Sequence, residues 1–484
     1  MPVTAGGERV HDLTDSVRAV RAAVAELSYP LPMPSAVAAR TDRAALLAQL
    51  DDYVLPRLVN PDAPLLVVVG GSTGAGKSTL VNSLAQARVS RAGVLRPTTR
   101  TPVLACHPAD LTWFRGGAAL ASSARGVVSL IAATALPTGL AFLDIPDFDA
   151  ANDTDQALAD RLLAAADLWL FVTTAARYAD AVPWELLGAA RARGVVIALV
   201  LDRVPPQSAR VADGGASAVV THLTELLAAG GPGLAGAPVF VLPEARVDGQ
   251  GLLPDEVIAP LRSWFGALCA DQAARGAVAR CTLDGTLAAI PPRVEALAAA
   301  AEEQVSMAEA LAEQVGMAYG AARSALEQSL PAAGTGDRAG GRGSGGGAES
   351  DGSLVALVRG AAADAAEQTG TAWRGYPGGE ALLAPASTVA GPGLAGKVER
   401  VVRTWSGGDR ETLLHRVGEL LDAEAARWLD GLAAVPPDGS SARRARRAGG
   451  ALAAARSAAR LSAGPPVVPV PRPQPSRPLG GMTR

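Results

Sequence analysis

Residues 65–84 read LLVVVGGSTGAGKSTLVNSL, and the fold follows from how this stretch is read. Leu65 to Val69 form a five-residue apolar run of the kind that makes a short buried strand. A glycine-rich loop follows, then a helical period opening at Lys77. Gly71 to Ser78 satisfies G-x-x-x-x-G-K-[ST], the spacing of a phosphate-binding loop. Its glycines allow backbone N–H groups to turn inward onto phosphate oxygens, and the helix N-terminus behind them adds partial positive charge. Lys77 offers a flexible point charge for the β- and γ-phosphates, and the Ser78 hydroxyl can ligate Mg²⁺. Gly71, Ser72, Thr73, Gly74, Ala75, Gly76, Lys77, Ser78 and Thr79 are therefore expected to surround the phosphates of a nucleoside triphosphate. An ordinary strand-loop-helix connection would explain the glycines but not the lysine. Lys77 and Lys397 are the only lysines in a chain with 44 Lys and Arg together.

Outward from this stretch, residues 61–252 alternate apolar runs with helical periods, the pattern of an α/β sheet with crossover helices. Strands are expected at 65–69, 101–106, 127–133, 140–144, 168–173, 195–201 and 239–242, and helices at 77–87, 154–165, 182–193 and 216–229. The strands are apolar throughout, as where both faces are covered. Residues 1–60 hold two helices, 11–28 and 35–58, parted by Pro30, Pro32 and Pro34. Residues 253–435 turn helical and alanine-rich. Ile290-Pro291-Pro292 is expected to split 254–330 into two helices, and 331–353 reads as a flexible Gly/Ser/Arg-rich insert. With the N-terminal helices this region would form a bundle flanking the α/β domain. Residues 436–484 read as a tail, basic over 441–460 and then proline-rich and disordered.

Composition narrows the function. The chain has 484 residues, 49% hydrophobic and 19% charged, enough for several domains with sizeable cores. A net charge of −3 argues against a general nucleic-acid binder, and no specific nucleic acid is expected. Cys106, Cys269 and Cys281 lack ligand spacing and read as reduced thiols. The four histidines are scattered, so no metal chemistry beyond Mg²⁺ is expected. Cys106-His107 are adjacent, which does not make a catalytic dyad. Residues 1–30 carry Glu8, Asp12, Asp15 and Glu26 without an apolar core, so no leader is expected. No apolar run approaches the ~18 residues of a spanning helix. The expected location is cytoplasmic, or peripheral at the inner face of a membrane. Residues 441–460 offer one route to an anionic membrane surface; a solvated arginine run is the other reading.

Two further stretches complete a nucleotide switch. Pro97-Thr98-Thr99-Arg100-Thr101-Pro102 precedes the second strand. A threonine in such a loop can coordinate Mg²⁺ and sense the γ-phosphate, and Thr99 is favoured over Thr98. A polar turn between prolines is the plain alternative. The strand 140–144 ends in Asp144-Ile145-Pro146-Asp147. A carboxylate at a strand end facing the phosphate loop can hold Mg²⁺ through water, because a hard cation takes oxygen ligands. The candidate metal residues are thus Ser78, Thr99 and Asp144.

Taken together, these residues resemble the translation-factor class of P-loop GTPases, and most closely the bacterial dynamin-like GTPases. The shared points are Gly71–Ser78, Thr98–Pro102 as first switch, Asp144-x-Pro146 as second switch, and helices on both sides of the α/β domain. Phe171 to Trp184 looks like the segment such proteins place after the fourth strand. The resemblance implies an α/β P-loop NTPase (GTPase-like) domain with a flanking α-helical bundle and a disordered C-terminal tail. It also implies GTP and Mg²⁺ as ligands, with Lys77, Thr99 and Ser72 in catalytic roles.

Three departures stand out. Asp147 replaces the glycine whose N–H meets the γ-phosphate. Asp202-Arg203-Val204-Pro205 stands where the family reads [NT]-K-x-D, so Asp202 and Arg203 would border the base while proline replaces the base-reading aspartate. Phe148 lies where other GTPases place a water-orienting glutamine. Dynamin-like enzymes lack that glutamine and use polar groups of the phosphate loop, here Ser72 and Thr73. The expectation is a GTP-binding protein with slow Mg²⁺-dependent hydrolysis, switching a helical region, its site completed by self-assembly or a paired GTPase partner. The alternatives are an ATP-using or base-indifferent NTPase and a non-hydrolysing nucleotide-binding scaffold.

Overall fold

The apolar runs become the strands of one sheet. The structure, a computed structural model, describes residues 4–91, 101–115, 127–145, 161–179, 184, 187–188, 190, 194–205, 218–230, 234, 236–330, 346–386, 392–404, 410–436 and 438–460. Among these the strands are β1 (Leu65–Gly71), β2 (Val103–Cys106), β3 (Ser129–Ala132), β4 (Leu140–Asp144), β5 (Leu168–Thr174), β6 (Val196–Val204) and β7 (Val239–Pro243). The helices are α1 (Thr4–Ala25), α2 (Pro34–Gln49), α3 (Leu55–Val59), α4 (Lys77–Ala85), α5 (Leu111–Arg115), α6 (Ala218–Ala229), α7 (Asp255–Ala270), α8 (Gln272–Ser329), α9 (Gly346–Arg374), α10 (Gly379–Ala386), α11 (Pro392–Thr404), α12 (Arg410–Asp430) and α13 (Ser440–Arg460). A π-helical turn, Leu50–Val54, joins α2 to α3.

The sheet order is β3-β2-β4-β1-β5-β6-β7. Neighbours are parallel except β2 and β4, which run antiparallel. β1 lies in the middle, and all seven of its residues are buried. That explains an apolar run without alternation: successive side chains feed opposite cores. Leu65, Val67 and Val69 join Phe142, Leu168, Leu170 and, from α4 and α7, Leu80, Leu84, Ile258 and Phe265. Leu66 and Val68 join Leu143, Trp169, Phe171 and, from α6, Leu223 and Leu227. Helices therefore cover both faces, and β1 runs on into the glycine loop that leads to α4.

The strand ends away from that loop are riveted by polar groups. Asp167, directly before β5, is wholly buried and forms an ion pair with Arg57. Its Oδ2 also accepts from Leu66 N at 2.8 Å, and Arg57 donates to the Ala63 and Pro64 carbonyls at 2.8 and 3.1 Å. Thr282 of α8 donates its hydroxyl to the Asp167 carbonyl at 2.6 Å and accepts from Val196 N at 3.2 Å. The close approach is possible because Gly194 and Gly285 face each other; a Cβ on Gly194 would meet the Gly285 Cα at 2.5 Å.

Two expectations are corrected. Pro291 and Pro292 do not divide a helix: α8 is continuous over 58 residues and contains both. The break comes earlier, at Asp271, which is extended (φ −101°, ψ 102°). The Asp271 Oδ1 accepts from Ala273 and Ala274 N at 2.9 and 3.1 Å, capping α8. Burial of Leu287, Ile290, Val294 and Leu297 on either side of the prolines holds the helix together where local preference would break it. Second, α9 starts at Gly346, inside the stretch read as a flexible insert; residues 331–345 lie outside the described residues.

The basic segment 441–460, read as partly helical, lies within the helix α13, and several of its arginines are engaged within the chain. Arg444 pairs with Glu26, Arg446 with Glu295 and Glu302, and Arg456 with Asp284. Residues 461–484, expected to be disordered, lie outside the described residues.

The chain divides into two compact units. One comprises Met1–Ala22, Ala44–Arg293 and Arg447–Arg484 and contains the sheet; the other comprises Ala23–Arg43 and Val294–Arg446. The second unit is helical. Leu31 N donates to Gln304 Oε1 at 2.7 Å and the Tyr29 hydroxyl to the Leu297 carbonyl at 3.0 Å. Trp373 stands edge-on to Trp428 at 5.1 Å, and the Trp428 indole donates to the Tyr319 hydroxyl at 3.0 Å.

Candidate nucleotide site

The loop between β1 and α4 has the backbone its motif requires. Gly71, Gly74 and Gly76 have φ of 133°, 73° and 88°, a region side chains disfavour. At Gly71 a Cβ would lie 2.0 Å from the Val172 carbonyl oxygen, so neighbouring β5 leaves room for glycine alone. Ser72 N donates to that same carbonyl at 3.1 Å, which fixes the loop's first turn to β5. Ala75 N returns to the Ser72 carbonyl at 3.1 Å, and Leu80 N bonds the Gly76 carbonyl at 2.8 Å as α4 begins. Ser72 Oγ lies 3.4 Å from Thr173 Oγ1 of β5.

Lys77 opens α4 and is only 5% exposed. Its ammonium bends back along the loop to donate to the Gly71 and Ser72 carbonyls at 3.2 and 3.1 Å. The next carbonyl, that of Thr73, accepts from Arg177 Nη1 at 2.9 Å. Two cations thus hold three consecutive loop carbonyls. Ser78 and Thr79 follow in the first turn of α4, half-buried.

Asp144 ends β4 in register with Val69 of β1, and its side chain is wholly buried. Its Oδ2 accepts from Ser90 Oγ at 2.5 Å. Ser90 is itself fixed by Asn82 of α4, which donates to its carbonyl at 2.9 Å and accepts from its N–H at 2.8 Å. The donors that Ser78 and Asp144 bring are hydroxyl and carboxylate oxygens, and among the described residues no group of three His, Cys, Asp or Glu is placed to hold a metal ion. That set suits a hard, largely water-coordinated cation such as Mg²⁺ and not zinc. Thr98, Thr99, Asp147 and Phe148 lie outside the described residues.

On the other side of the loop, the end of β6 comes against Gly76. A Cβ on Gly76 would sit 2.8 Å from Asp202 Oδ2 and 4.0 Å from an Arg203 guanidinium nitrogen. The Asp202 and Arg203 side chains approach to 3.9 Å. Arg203 has φ 53° and lies in a register shift between Leu201 and Val204, which turns it out of the strand. Burial raises the Asp202 carboxyl above its ordinary range; the Arg203 N–H and charge oppose this, and Glu244 adds to it. Glu244 follows β7, and its N–H bonds the Val204 carbonyl at 2.9 Å. An exposed carboxylate therefore stands beside Val204-Pro205, where the sequence has no aspartate.

Sequence reading missed Arg177, Ser90, Asn82 and Glu244. Arg177 lies inside the stretch 171–184 without having been given a role there, and it meets its partner across 104 positions. Cys106 and His107 form no dyad. The His107 ring accepts from Ala109 N at 3.2 Å, and burial pushes the Cys106 thiol up to about 11. Burial likewise pushes Cys269 up to about 12, and all three cysteines are free thiols. Among the described residues no helix is long and apolar enough to cross a membrane.

No family model matches the sequence, and no curated protein matches it. Solved structures give distant likenesses. Era from Aquifex aeolicus, in a variant bound to GDP and AlF4⁻, aligns with 44% of this chain at 17% identity and TM-score 0.25. The chain spans 65% of that protein's length, just under two thirds. An oligomerised bacterial dynamin pair, described as sensing and tethering membranes at long range, aligns with 94% of this chain and 77% of its own at 8% identity and TM-score 0.31. A second structure of such a pair gives 9% identity and TM-score 0.30 over 94% of this chain and 76% of its own. At these scores the neighbours bear no weight, and the site's own geometry carries what can be said of its function.

Proposed function

We propose that the chain binds a nucleoside triphosphate with Mg²⁺ and hydrolyses it slowly, with guanine the favoured base. The observation that carries this is the glycine loop at the end of the central strand, three of its residues at positive φ and a buried lysine folded along it. Loop N–H groups, the N-terminus of α4 and Lys77 provide the positive field that three phosphates need. In hydrolysis the oxygen of a water forms a bond to the γ-phosphorus while the bond to the bridging oxygen breaks. The electron pair passes to the β-phosphate, and the water proton leaves with the phosphate products. Lys77 offsets the charge that develops on the bridging and γ-oxygens. Ser78 and Asp144 would hold Mg²⁺, with Thr99 joining them; the ion, when bound, neutralises phosphate charge. Ser72, and Asp147 through its N–H, are assigned to the γ-phosphate end, and Asp202 with Arg203 to the base end.

Coupling to the helical unit would run along α8, whose residues belong to both compact units. Contact of 441–460 with an anionic membrane is the weaker reading, since Arg444, Arg446 and Arg456 are already paired. Titration with fluorescent GTP and ATP analogues, with and without Mg²⁺ and against Lys77→Ala, tests the proposal. Binding that is Mg²⁺-dependent and lost in the variant supports it; equal affinity in wild type and variant refutes it. A clear preference for ATP in competition would replace guanine with adenine.

A further inference from the structure

We propose that Glu244 is the residue that selects guanine, its carboxylate accepting from the N1–H and the N2 amino group of the base at the shared end of β6 and β7. This rests on the nucleotide reading above and deepens it. β1, β5, β6 and β7 are parallel neighbours in that order, so their carboxyl ends share one edge of the sheet. Ligands of open α/β sheets bind outside such ends. The glycine loop leaves β1 at that edge. Asp144, assigned above to the Mg²⁺ of the phosphates, ends β4 on one side of β1, which leaves β5 to β7 on the other for sugar and base. Neighbouring strands lie about 4.8 Å apart, so β6 and β7 end roughly 10 and 14 Å to the side of β1. A nucleotide with its phosphates on the loop and its length across these ends brings its base, not its phosphates, to them.

Two carboxylates stand there, and they differ in what they can do. Asp202 is 8% exposed; its Oδ2 faces Gly76 and lies 3.9 Å from Arg203. The turn after β5 joins it, Ala175 N bonding the Asp202 carbonyl at 3.4 Å. Asp202 thus braces the strand ends. Glu244, directly after β7, is exposed, and among the described residues its carboxylate takes no hydrogen bond or ion pair. Its backbone is nevertheless fixed: Pro243 pairs with Val204, and Glu244 N donates to the Val204 carbonyl at 2.9 Å. Pro205 follows Val204 with neither an N–H nor a charge, and the β6–β7 ladder sets Glu244 beside it. Beyond burial and the opposing Arg203, the Glu244 charge also raises Asp202, which puts the two acids within electrostatic reach. Guanine presents two donors along one edge, and an ionised carboxylate offers only acceptors, so the pair is charge-assisted and matched. Adenine turns its N1 lone pair to the same place and is repelled.

The test is calorimetric titration of wild type, Lys77→Ala, Glu244→Ala and Glu244→Gln with four triphosphates in Mg²⁺. These are GTP, ATP, inosine triphosphate, which lacks the amino group, and xanthosine triphosphate, which has a carbonyl in its place. Far-UV circular dichroism checks each fold. Wild type should bind GTP about tenfold tighter than inosine triphosphate, the worth of one hydrogen bond to a charged group. Glu244→Ala should bind GTP about 10–100-fold more weakly, hold ATP within about threefold, and no longer tell GTP from inosine triphosphate. Glu244→Gln should gain about tenfold for xanthosine triphosphate, because an amide accepts from N1–H and donates to the new carbonyl. An unchanged GTP-to-ATP ratio in Glu244→Ala, with wild type preferring GTP, overturns the proposal and leaves the nucleotide reading standing. Parallel loss of GTP and ATP makes Glu244 a support of the strand ends and also overturns it. Wild type without preference for GTP overturns both the proposal and guanine as the base, while triphosphate binding stands. Equal affinities in wild type and Lys77→Ala overturn the nucleotide reading as well. If Glu244→Ala does not fold, Glu244→Gln is read by the same criteria.

Discussion

Replacing Arg57 by methionine tests how the sheet is held. The Arg57 and Asp167 side chains are 7% and 0% exposed. Removing the guanidinium leaves a buried carboxylate facing the Leu66 N–H and strips hydrogen bonds from the Ala63 and Pro64 carbonyls. Breaking a buried pair in this way costs about 3–5 kcal/mol. Burial already raises the Asp167 carboxyl, against the lowering influence of Arg57, so the variant raises it further. Protonation then caps the penalty. Taking up a proton at pH 7 on a group with an unfolded pKa of about 3.9 costs about 4 kcal/mol, and this falls by about 1.4 kcal/mol per pH unit. The sign follows: a raised carboxyl gives stability that is complete below its unfolded pKa and lost as pH rises through the folded one. The deficit of Arg57→Met should therefore shrink from about 4 kcal/mol near pH 7 to about 1.5 kcal/mol near pH 5. Arg57→Met/Asp167→Asn, which keeps an acceptor for Leu66 N, should recover most of it. Urea unfolding read by the fluorescence of buried Trp169, two residues into β5, measures all three proteins. A deficit independent of pH, or a double variant no better than the single, would refute this account of the rivet.

Three other outcomes are expected. Gly71→Ala should abolish nucleotide binding in an equilibrium titration, because its Cβ would fall 2.0 Å from a β5 carbonyl oxygen at φ 133°. Ser90→Ala removes the donor to Asp144 Oδ2 and should cost about 1–3 kcal/mol in chemical denaturation; it should also raise the Mg²⁺ concentration needed for half-maximal nucleotide binding. Asp202→Asn should stabilise the protein in thermal unfolding at neutral pH. Asp202 is raised by burial, so ionising it costs the folded state; the gain should grow as pH climbs above 3.8 and level off above the folded pKa.

Much of this architecture was legible in the chain because burial on two faces leaves a plain mark. Every apolar run read as a strand is one, with ends moved by a few residues where β1 and β6 run on into glycine or a bulge. The glycine loop was legible because its features are local: glycine freedom, a lysine and a hydroxyl within eight positions. What escaped notice depends on contacts far apart in sequence. The antiparallel pairing of β2 with β4 leaves no trace in composition. The prolines of α8 misled because their local cost is outweighed by Ile290, Val294 and their neighbours, whose burial only the folded chain reveals. Asp271, by contrast, could have been read as a cap, having the residue type that starts helices. Arg177 had no such signal, for an arginine in a turn reads as solvated until the strand before it is laid beside β1.

Thr282 carries a consequence of another kind. One hydroxyl touches the residue before β5 and the first residue of β6, and so fixes the stagger between two parallel strands at their starting ends. Nine residues of β6, at roughly 3.3 Å each, then carry that setting to the far edge. There the turn bearing Arg177 and the pair Asp202-Arg203 lie side by side, with Ala175 N bonded to the Asp202 carbonyl at 3.4 Å. A slip at the foot of either strand would change the height of one against the other. The relative height of the groups that meet the glycine loop is thus set about 30 Å away, at a threonine that touches none of them.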